Sequence, residues 1–336
     1  MWQEGLVRRT RAWLPALLLL TAGAPACSGS DGSGDTSSSS APSSTTTSPT
    51  TASPTTAPSR TPSPSRPPRV DPGDVRIATA MAAVRHLAGR IGPRPGTSPA
   101  YFRAADWVQR QLEGDGWSVE RQTFRAPAGV SWGVPVQAGR SVNLIAQLGD
   151  VRPDRGWLLI GAHLDTVPQA PGAEDNASGV GVLLAVAEAL AGQRTRLPVV
   201  LVAFGAEEPR GPTDDDHHYG SRAYVGSLGA AQRRTLRGMV SLDRIGVGDA
   251  VVIGSPETPD PLRAELVAAA RRVDVPHLVE DGQRSSDHWS FVRAGLPGAR
   301  LGSTPYAGYH SAEDVPSVVD RAQLGRTARV VLAWVR

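Results

Sequence analysis

The side chains of this 336-residue sequence that could do chemistry fall into five short clusters. In Gly161-Ala162-His163-Leu164-Asp165-Thr166 an imidazole and a carboxylate stand two residues apart, so on an extended chain they share a face. That pairing suits a metal ligand and the carboxylate that orients it. Taken alone, His163 reads equally well as a packed core histidine. Ala173-Glu174-Asp175-Asn176-Ala177-Ser178-Gly179 brings Asp175 to the entry of an apolar stretch, where it could be a ligand or simply a helix N-cap. Asn176-Ala177-Ser178 is also a glycosylation sequon, discounted because it adjoins an expected buried site. Phe204-Gly205-Ala206-Glu207-Glu208 sets two carboxylates at the end of an apolar run, which is costly unless a positive group lies between them. Ser241-Leu242-Asp243-Arg244-Ile245-Gly246 and Tyr309-His310-Ser311-Ala312-Glu313-Asp314 complete the set. Singly, these two read as a turn aspartate and a solvated loop histidine.

Together the clusters offer more. Two His, two Asp and a Glu pair can fill two four-coordinate zinc sites that share one carboxylate, with water completing them. Two such metals polarise a carbonyl and generate hydroxide near neutral pH. A spare carboxylate must then move the proton, and one Glu of the pair is free to do so. No cysteine is needed, in keeping with a chain whose one cysteine is Cys27.

In order and spacing, the clusters resemble those of the double-zinc aminopeptidases, metallopeptidase family twenty-eight, over about residues 75 to 336. That family includes secreted bacterial leucine aminopeptidases, glutamate carboxypeptidases and glutaminyl cyclases. The resemblance implies that His163 and Asp243 bind one zinc, that Glu208 and His310 bind the other, and that Asp175 bridges both. It implies Glu207 as general base and then acid, Asp165 as the group orienting His163, and Tyr309 as a hydrogen-bond donor to the oxyanion. It also implies a cis peptide between Asp175 and Asn176. The expected reaction removes N-terminal residues from peptides by a hydroxide shared between two zinc ions. Loops after residue 209 and around 283–309 would form the side-chain pocket.

The near alternative is a glutaminyl-peptide cyclotransferase, which keeps one zinc and cyclises its substrate. His163 and the 175–179 stretch favour the hydrolase, because they complete a second metal site. A lipoprotein with a non-catalytic metal site is an alternative of another class; Glu207, not needed as a ligand, speaks against it. Two further motifs are read as secondary. Ser286-Asp287-His288 looks like a compressed catalytic triad, but triad members meet through the fold rather than as chain neighbours. It is taken as structural support beside the site. The loop 209–220, with Asp214, Asp215, Asp216, His217 and His218, is read as a solvated acidic loop rather than a gate; Gly220-Ser221-Arg222 after it marks a helix start.

The elements that must carry these clusters alternate. Helical spacing of apolar residues marks 75–87, 100–112, 177–190, 261–272, 286–294 and 321–335. Strand-type runs mark 117–124, 142–148, 157–164, 198–204, 239–242 and 250–253; 157–164 is apolar on both faces, as in a central strand. Strands alternating with helices predict an α/β fold, a mixed, mostly parallel central sheet with helices on both faces, of the zinc-exopeptidase kind. Active sites of such sheets gather at the C-terminal strand ends, where the polar clusters fall. The catalytic domain is expected at 73–336.

Composition bounds the rest. Hydrophobic residues make up 40% and charged residues 20%, enough apolar material for a core. The formal net charge of +3 comes without a basic block or aromatic-basic stripe, so no nucleic-acid partner is expected. Every basic residue besides histidine is arginine, which fits a coding bias rather than a function. Arg8, Arg9 and Arg11, the apolar 14–20 and Ala24-Pro25-Ala26 before Cys27 read as a signal peptide at 1–27, with a possible lipoprotein cleavage site. Residues 28–72, rich in Ser, Thr and Pro, read as a disordered linker with nothing to bury. The expectation is an extracytoplasmic monomer acting on peptides, touching membrane only through a lipid on Cys27, otherwise secreted.

Overall fold

The computed structural model describes residues 66–149 and 154–336, all within the unit Ser63–Arg336. The expected signal peptide, Cys27 and residues 28–65 of the expected linker lie outside them. The fold reaches back past the expected boundary at 73. Val70 is fully buried in the core, its amide donating to Arg194 O, while Arg194 N donates to Pro68 O. One valine amid polar residues carries no periodicity, so this short pairing left no signal.

In chain order the elements are α1 (Ile77–Val84), extended by wider turns over Arg85–Ile91, α2 (Pro99–Gly114), β1 (Ser118–Ala126), a hairpin of β2 (Gly129–Ser131) and β3 (Val134–Val136), β4 (Gly139–Gln147) and β5 (Trp157–His163). An irregular segment, Ala173–Ser178, leads into α3 (Gly179–Leu190) and β6 (Val199–Phe204). Then come α4 (Tyr219–Ser227), α5 (Ala230–Thr235), β7 (Leu236–Leu242), β8 (Val251–Ser255), α6 (Pro261–Arg272), β9 (His277–Asp281), α7 (His288–Arg293), β10 (Gly298–Gly302) and α8 (Arg321–Val335).

Eight strands form one sheet in the order β1-β4-β6-β5-β7-β10-β8-β9. The centre, β6-β5-β7-β10, is parallel; β1-β4, β4-β6 and β10-β8 are antiparallel, and β8-β9 is parallel. This is the mixed, mostly parallel sheet the alternation predicts. Strands β5 and β6 are buried along their whole length. Their side chains divide by alternation: Leu158, Ile160, Leu201 and Ala203 face one core, Leu159, Val200, Val202 and Phe204 the other. Helices α1, α2, α3, α6 and α8 contribute to the first core, and α4 and α7 cover the second with Tyr224, Val225 and Phe291.

Helix starts follow local chemistry. Ser98, Asp260 and Asp320 each accept a hydrogen bond from an amide of the first turn, and proline occupies the next position in α2 and α6. Strands β9 and β10 were not expected. Gly298-Ala299-Arg300-Leu301-Gly302 has glycine at both ends and a charge at its centre, yet it is fully buried between β7 and β8. The charge is matched at the site described below. β9 is an edge strand with four exposed residues, too polar to show alternation.

Candidate metal centre and active site

The parallel centre places the C-terminal ends of β5, β6 and β7 side by side. His163 closes β5, the turn after β6 carries Glu207 and Glu208, and Asp243 follows β7. Two loops add Asp175 and His310. All five sequence-derived ligands and Glu207 converge, and their side chains are nearly fully buried.

Asp175 sits at the middle. Its Oδ1 is 3.2 Å from His163 Nε2, and its Oδ2 is 3.0 Å from His310 Nε2. On the first side, His163 Nε2 is 3.9 Å from Asp243 Oδ1; on the second, His310 Nε2 is 3.6 Å from Glu208 Oε2. One carboxylate therefore turns one oxygen to each of two His–carboxylate pairs. The ligand atoms of His163, Asp175 and Glu208 lie within 4.8 Å of one another, and so do those of His163, Glu207 and Asp243. Glu208 Oε1 is buried with no hydrogen-bond partner among the described residues. Imidazole nitrogens and carboxylate oxygens are the ordinary zinc donors, so the residues present fit a pair of zinc ions.

The surroundings hold each donor in place. The Asp165 carboxylate accepts from Glu207 N at 3.0 Å and Glu208 N at 3.3 Å, and so fixes the glutamate turn. Its contact with His163 differs from the expectation. The imidazole Nδ1 lies 3.2 Å from the Asp165 backbone carbonyl, and the carboxylate is 3.9 Å away. The Asp314 carboxylate accepts from Glu174 N at 2.7 Å and Asp175 N at 3.1 Å. Asn176, joined to Asp175 by the cis peptide that the family resemblance implies, donates to Leu242 O and accepts from Gly179 N and Arg244 N. Arg300 on β10 donates to Asp243 O at 2.8 Å and lies 3.7 Å from its carboxylate, which explains the buried charge in that strand. Gly220 is required where α4 meets the end of β6: a Cβ there would stand 2.3 Å from Gly205 O.

Burial dominates the protonation of these groups, and neighbours then split them. Desolvation pushes the Glu207 carboxyl up to about 7 and Glu174 to about 8. It would lift Asp175 too, but hydrogen bonds from His163 and His310 hold that carboxyl below its usual range. Asp243 is likewise held low, against burial, by Arg300 and His163. Burial alone would lower His163, yet Glu207, Asp175 and Asp243 keep it well above its ordinary value.

Several functional neighbours escaped the sequence reading. The loop 209–220 divides: Asp214 and Asp215 are exposed, as expected, but His218 folds inward, buried, with Nε2 3.1 Å from Glu207 Oε1. Trp132, at the β2–β3 turn, lies edge-on to His310 with ring centres 4.4 Å apart. Tyr309 stacks on His310 at 3.6 Å, and the Arg244 guanidinium lies over the Tyr309 ring at 4.6 Å. Ser286-Asp287-His288 forms no triad. Ser286 Oγ meets Ser241 Oγ at 2.7 Å, and His288 Nε2 faces Gln283 O at 2.9 Å.

A mixed sheet with histidines and carboxylates gathered at the C-terminal ends of its central strands offers the donor set of a metallohydrolase site. The chain belongs to Peptidase family M28, whose defining sequence pattern matches residues 143–335. Among curated relatives, YfbL of Escherichia coli K12 is 30% identical over 206 residues, 56% of this chain and 58% of its own. Leupeptin-inactivating enzyme 1 of Streptomyces exfoliatus is 28% identical over 233 residues, 67% of this chain and 49% of its own. The probable lipoprotein aminopeptidase LpqL of Mycobacterium tuberculosis is 28% identical over 211 residues, 60% of this chain and 41% of its own. The chain thus spans about half the length of these relatives. Two solved structures share the fold. A zinc aminopeptidase from Bacillus subtilis aligns with a TM-score of 0.67 at 17% identity, over 78% of this chain and 94% of that one. A glutaminyl cyclase from Porphyromonas gingivalis aligns with a TM-score of 0.67 at 22% identity, over 78% and 98%.

Proposed function

We propose that the protein is a zinc-dependent aminopeptidase that hydrolyses N-terminal residues from peptides, with two zinc ions per chain. The observation that carries this reading is the two-sided Asp175, one oxygen toward His163 and Asp243, the other toward His310 and Glu208. Bound zinc would supply Lewis acidity and activated water to this pocket. Glu207 is not needed as a ligand. Buried beside the candidate ligands, with its amide held by the Asp165 carboxylate, it is placed to take a proton from water and return it to the leaving amine. Tyr309 at the pocket rim is the candidate donor to the developing oxyanion.

The shared fold of the cyclase keeps that alternative in view, and the second histidine–carboxylate pair favours the hydrolase. A peptide-library digest read by mass spectrometry, with zinc counted on the same preparation, decides between them. The expected result is trimming from the N-terminus with about two zinc per chain. One zinc with pyroglutamate formation, or trimming from the C-terminus, would overturn the reading.

For location, we propose export through residues 1–27 with a lipid on Cys27, a reading supported by the lipoprotein description of LpqL. No helix among the described residues is long and apolar enough to cross a membrane. Cys27→Ser is expected to move the protein from the membrane fraction to the medium. An intact Cys27 without lipid would reject the idea.

A further inference from the structure

The recess above the candidate metal centre, about 160 Å³, is lined by the candidate ligand side chains and, among others, by Glu207, His217, His218, Trp132, Arg244 and Tyr309. Arg244 is the one arginine in that lining. It follows the ligand Asp243 directly and takes a left-handed turn conformation, φ 53°, with its amide donating to Asn176 Oδ1 at 3.3 Å. The turn aims the side chain along the pocket wall. There the guanidinium lies over the Tyr309 ring at 4.6 Å, and Nε is 3.5 Å from Asp243 Oδ1. Its two terminal nitrogens, Nη1 and Nη2, make no hydrogen bond to any described residue, and the side chain keeps 22% of its surface open, against 4% for Asp243.

Charge balance shows what this cation is free to do. Asp243 already has Arg300, which is buried behind it and bonded to its backbone carbonyl. Arg244 approaches Asp243 through Nε alone, so Nη1 and Nη2 are left for another partner, with the guanidinium held against an aromatic face and open on its outer edge. A rigid guanidinium fork matches a carboxylate in a bidentate pair. In a confined pocket that pair is much stronger than in water, and the same charge disfavours a lysine or arginine side chain.

We propose that Arg244 makes this site selective for an acidic side chain, aspartate or glutamate, on the residue whose carbonyl is attacked. The inference rests on the aminopeptidase reading and names its substrate class. An apolar side chain would leave the guanidinium edge unsatisfied, whereas a carboxylate completes it.

The test uses the zinc-loaded full-length protein and two probes of the same shape, the α-hydroxamates of L-glutamate and L-glutamine, which differ in that an anionic carboxylate replaces a neutral amide. Binding is read by calorimetry, independently of turnover. Wild type is expected to bind the glutamate compound about 10-fold more tightly. Arg244→Gln is expected to bring the two within about 3-fold, and Arg244→Lys to fall between. Equal binding of both probes by wild type overturns the proposal whatever the variants do. A preference that survives in a folded Arg244→Gln protein overturns the assignment to Arg244. Release of N-terminal residues from peptides is measured separately. A glutamate preference in binding with no N-terminal trimming would sink the aminopeptidase reading and leave Arg244 as the anion-selecting residue.

Discussion

Arg94→Met tests whether the metal centre depends on a residue that touches none of its ligands. Arg94 is fully buried, and its guanidinium ties together the loops that follow β5 and precede Asp175. Nε donates to Leu164 O at 2.7 Å, Nη1 to Pro171 O at 2.8 Å and Nη2 to Gly172 O at 3.0 Å, with longer contacts to Leu87 O and Gly92 O. Gly172 O also accepts from Ala177 N, and Leu87 O from Gly92 N, so those two keep a partner in the variant. The carbonyls of Leu164, Pro171 and Gly92 have no other donor among the described residues. The buried Leu164 carbonyl left unpaired costs about 1–3 kcal/mol, and the part-buried Pro171 and Gly92 carbonyls less each because water can reach them. Relief from burying a charge offsets part of that, and loss of a cation facing Asp314, Asp165 and Asp175 adds to it. A net loss of about 3 kcal/mol follows. Urea unfolding of the metal-free protein measures it directly, with an unchanged slope showing that the same surface is exposed. Because His163 and Asp175 hang from the two tied loops, zinc affinity should fall as well. A stability within about 1 kcal/mol of wild type at the same slope would mean that other contacts hold these loops, and the reasoning fails.

Glu207→Gln should keep both zinc ions and lose about 10²–10⁴-fold in turnover, while Glu208→Gln should lose or weaken one metal and recover partly with excess zinc. Zinc content and turnover measured side by side check this, and the reverse pattern would exchange the two roles. His288 is buried with its imidazole pulled down to about 3, chiefly by desolvation. Its folded value lies below the unfolded one, so its contribution is present above about pH 6.5 and is lost as the pH falls toward 3, by up to about 1.4 kcal/mol per pH unit. His288→Gln should flatten that part of the acid-stability curve. A wild-type-to-variant difference that stays constant across the range would count against it.

What could be read from the chain beforehand was whatever repeats or clusters. β5 and β6 are continuous apolar runs because both faces are covered, and such runs announce central strands. The clusters of the candidate metal centre sit at or near the ends of central strands, so the candidate ligands were visible as short motifs. Residues acting through a single long-range contact left no such trace. Arg94 is one arginine after Ile91-Gly92-Pro93, and nothing local tells that five carbonyls surround it. His218 lies in an acidic loop, and only the left-handed turn at that residue carries it to Glu207. β10 failed the apolar pattern because its arginine is neutralised by an aspartate 57 residues away. The His-x-Asp spacing shows that Asp165 lies beside His163, but not that its carboxylate stands closer to the amides of the glutamate turn than to the imidazole.

The Asp314 clamp has a bearing on when the centre comes into being. The carboxylate that fixes the amides of Glu174 and Asp175 arrives 140 residues after Glu174, on the same loop as His310. That loop also supplies the carbonyl of Asp314 to Ala173 N. A chain that has emerged only through α6 would own His163, Asp175, both glutamates and Asp243, yet would lack His310 and the Asp314 clamp on Asp175. One late loop thus brings a candidate ligand and the group that fixes another, so the two halves of the proposed centre can form only after the parallel strands that carry the rest are already in place.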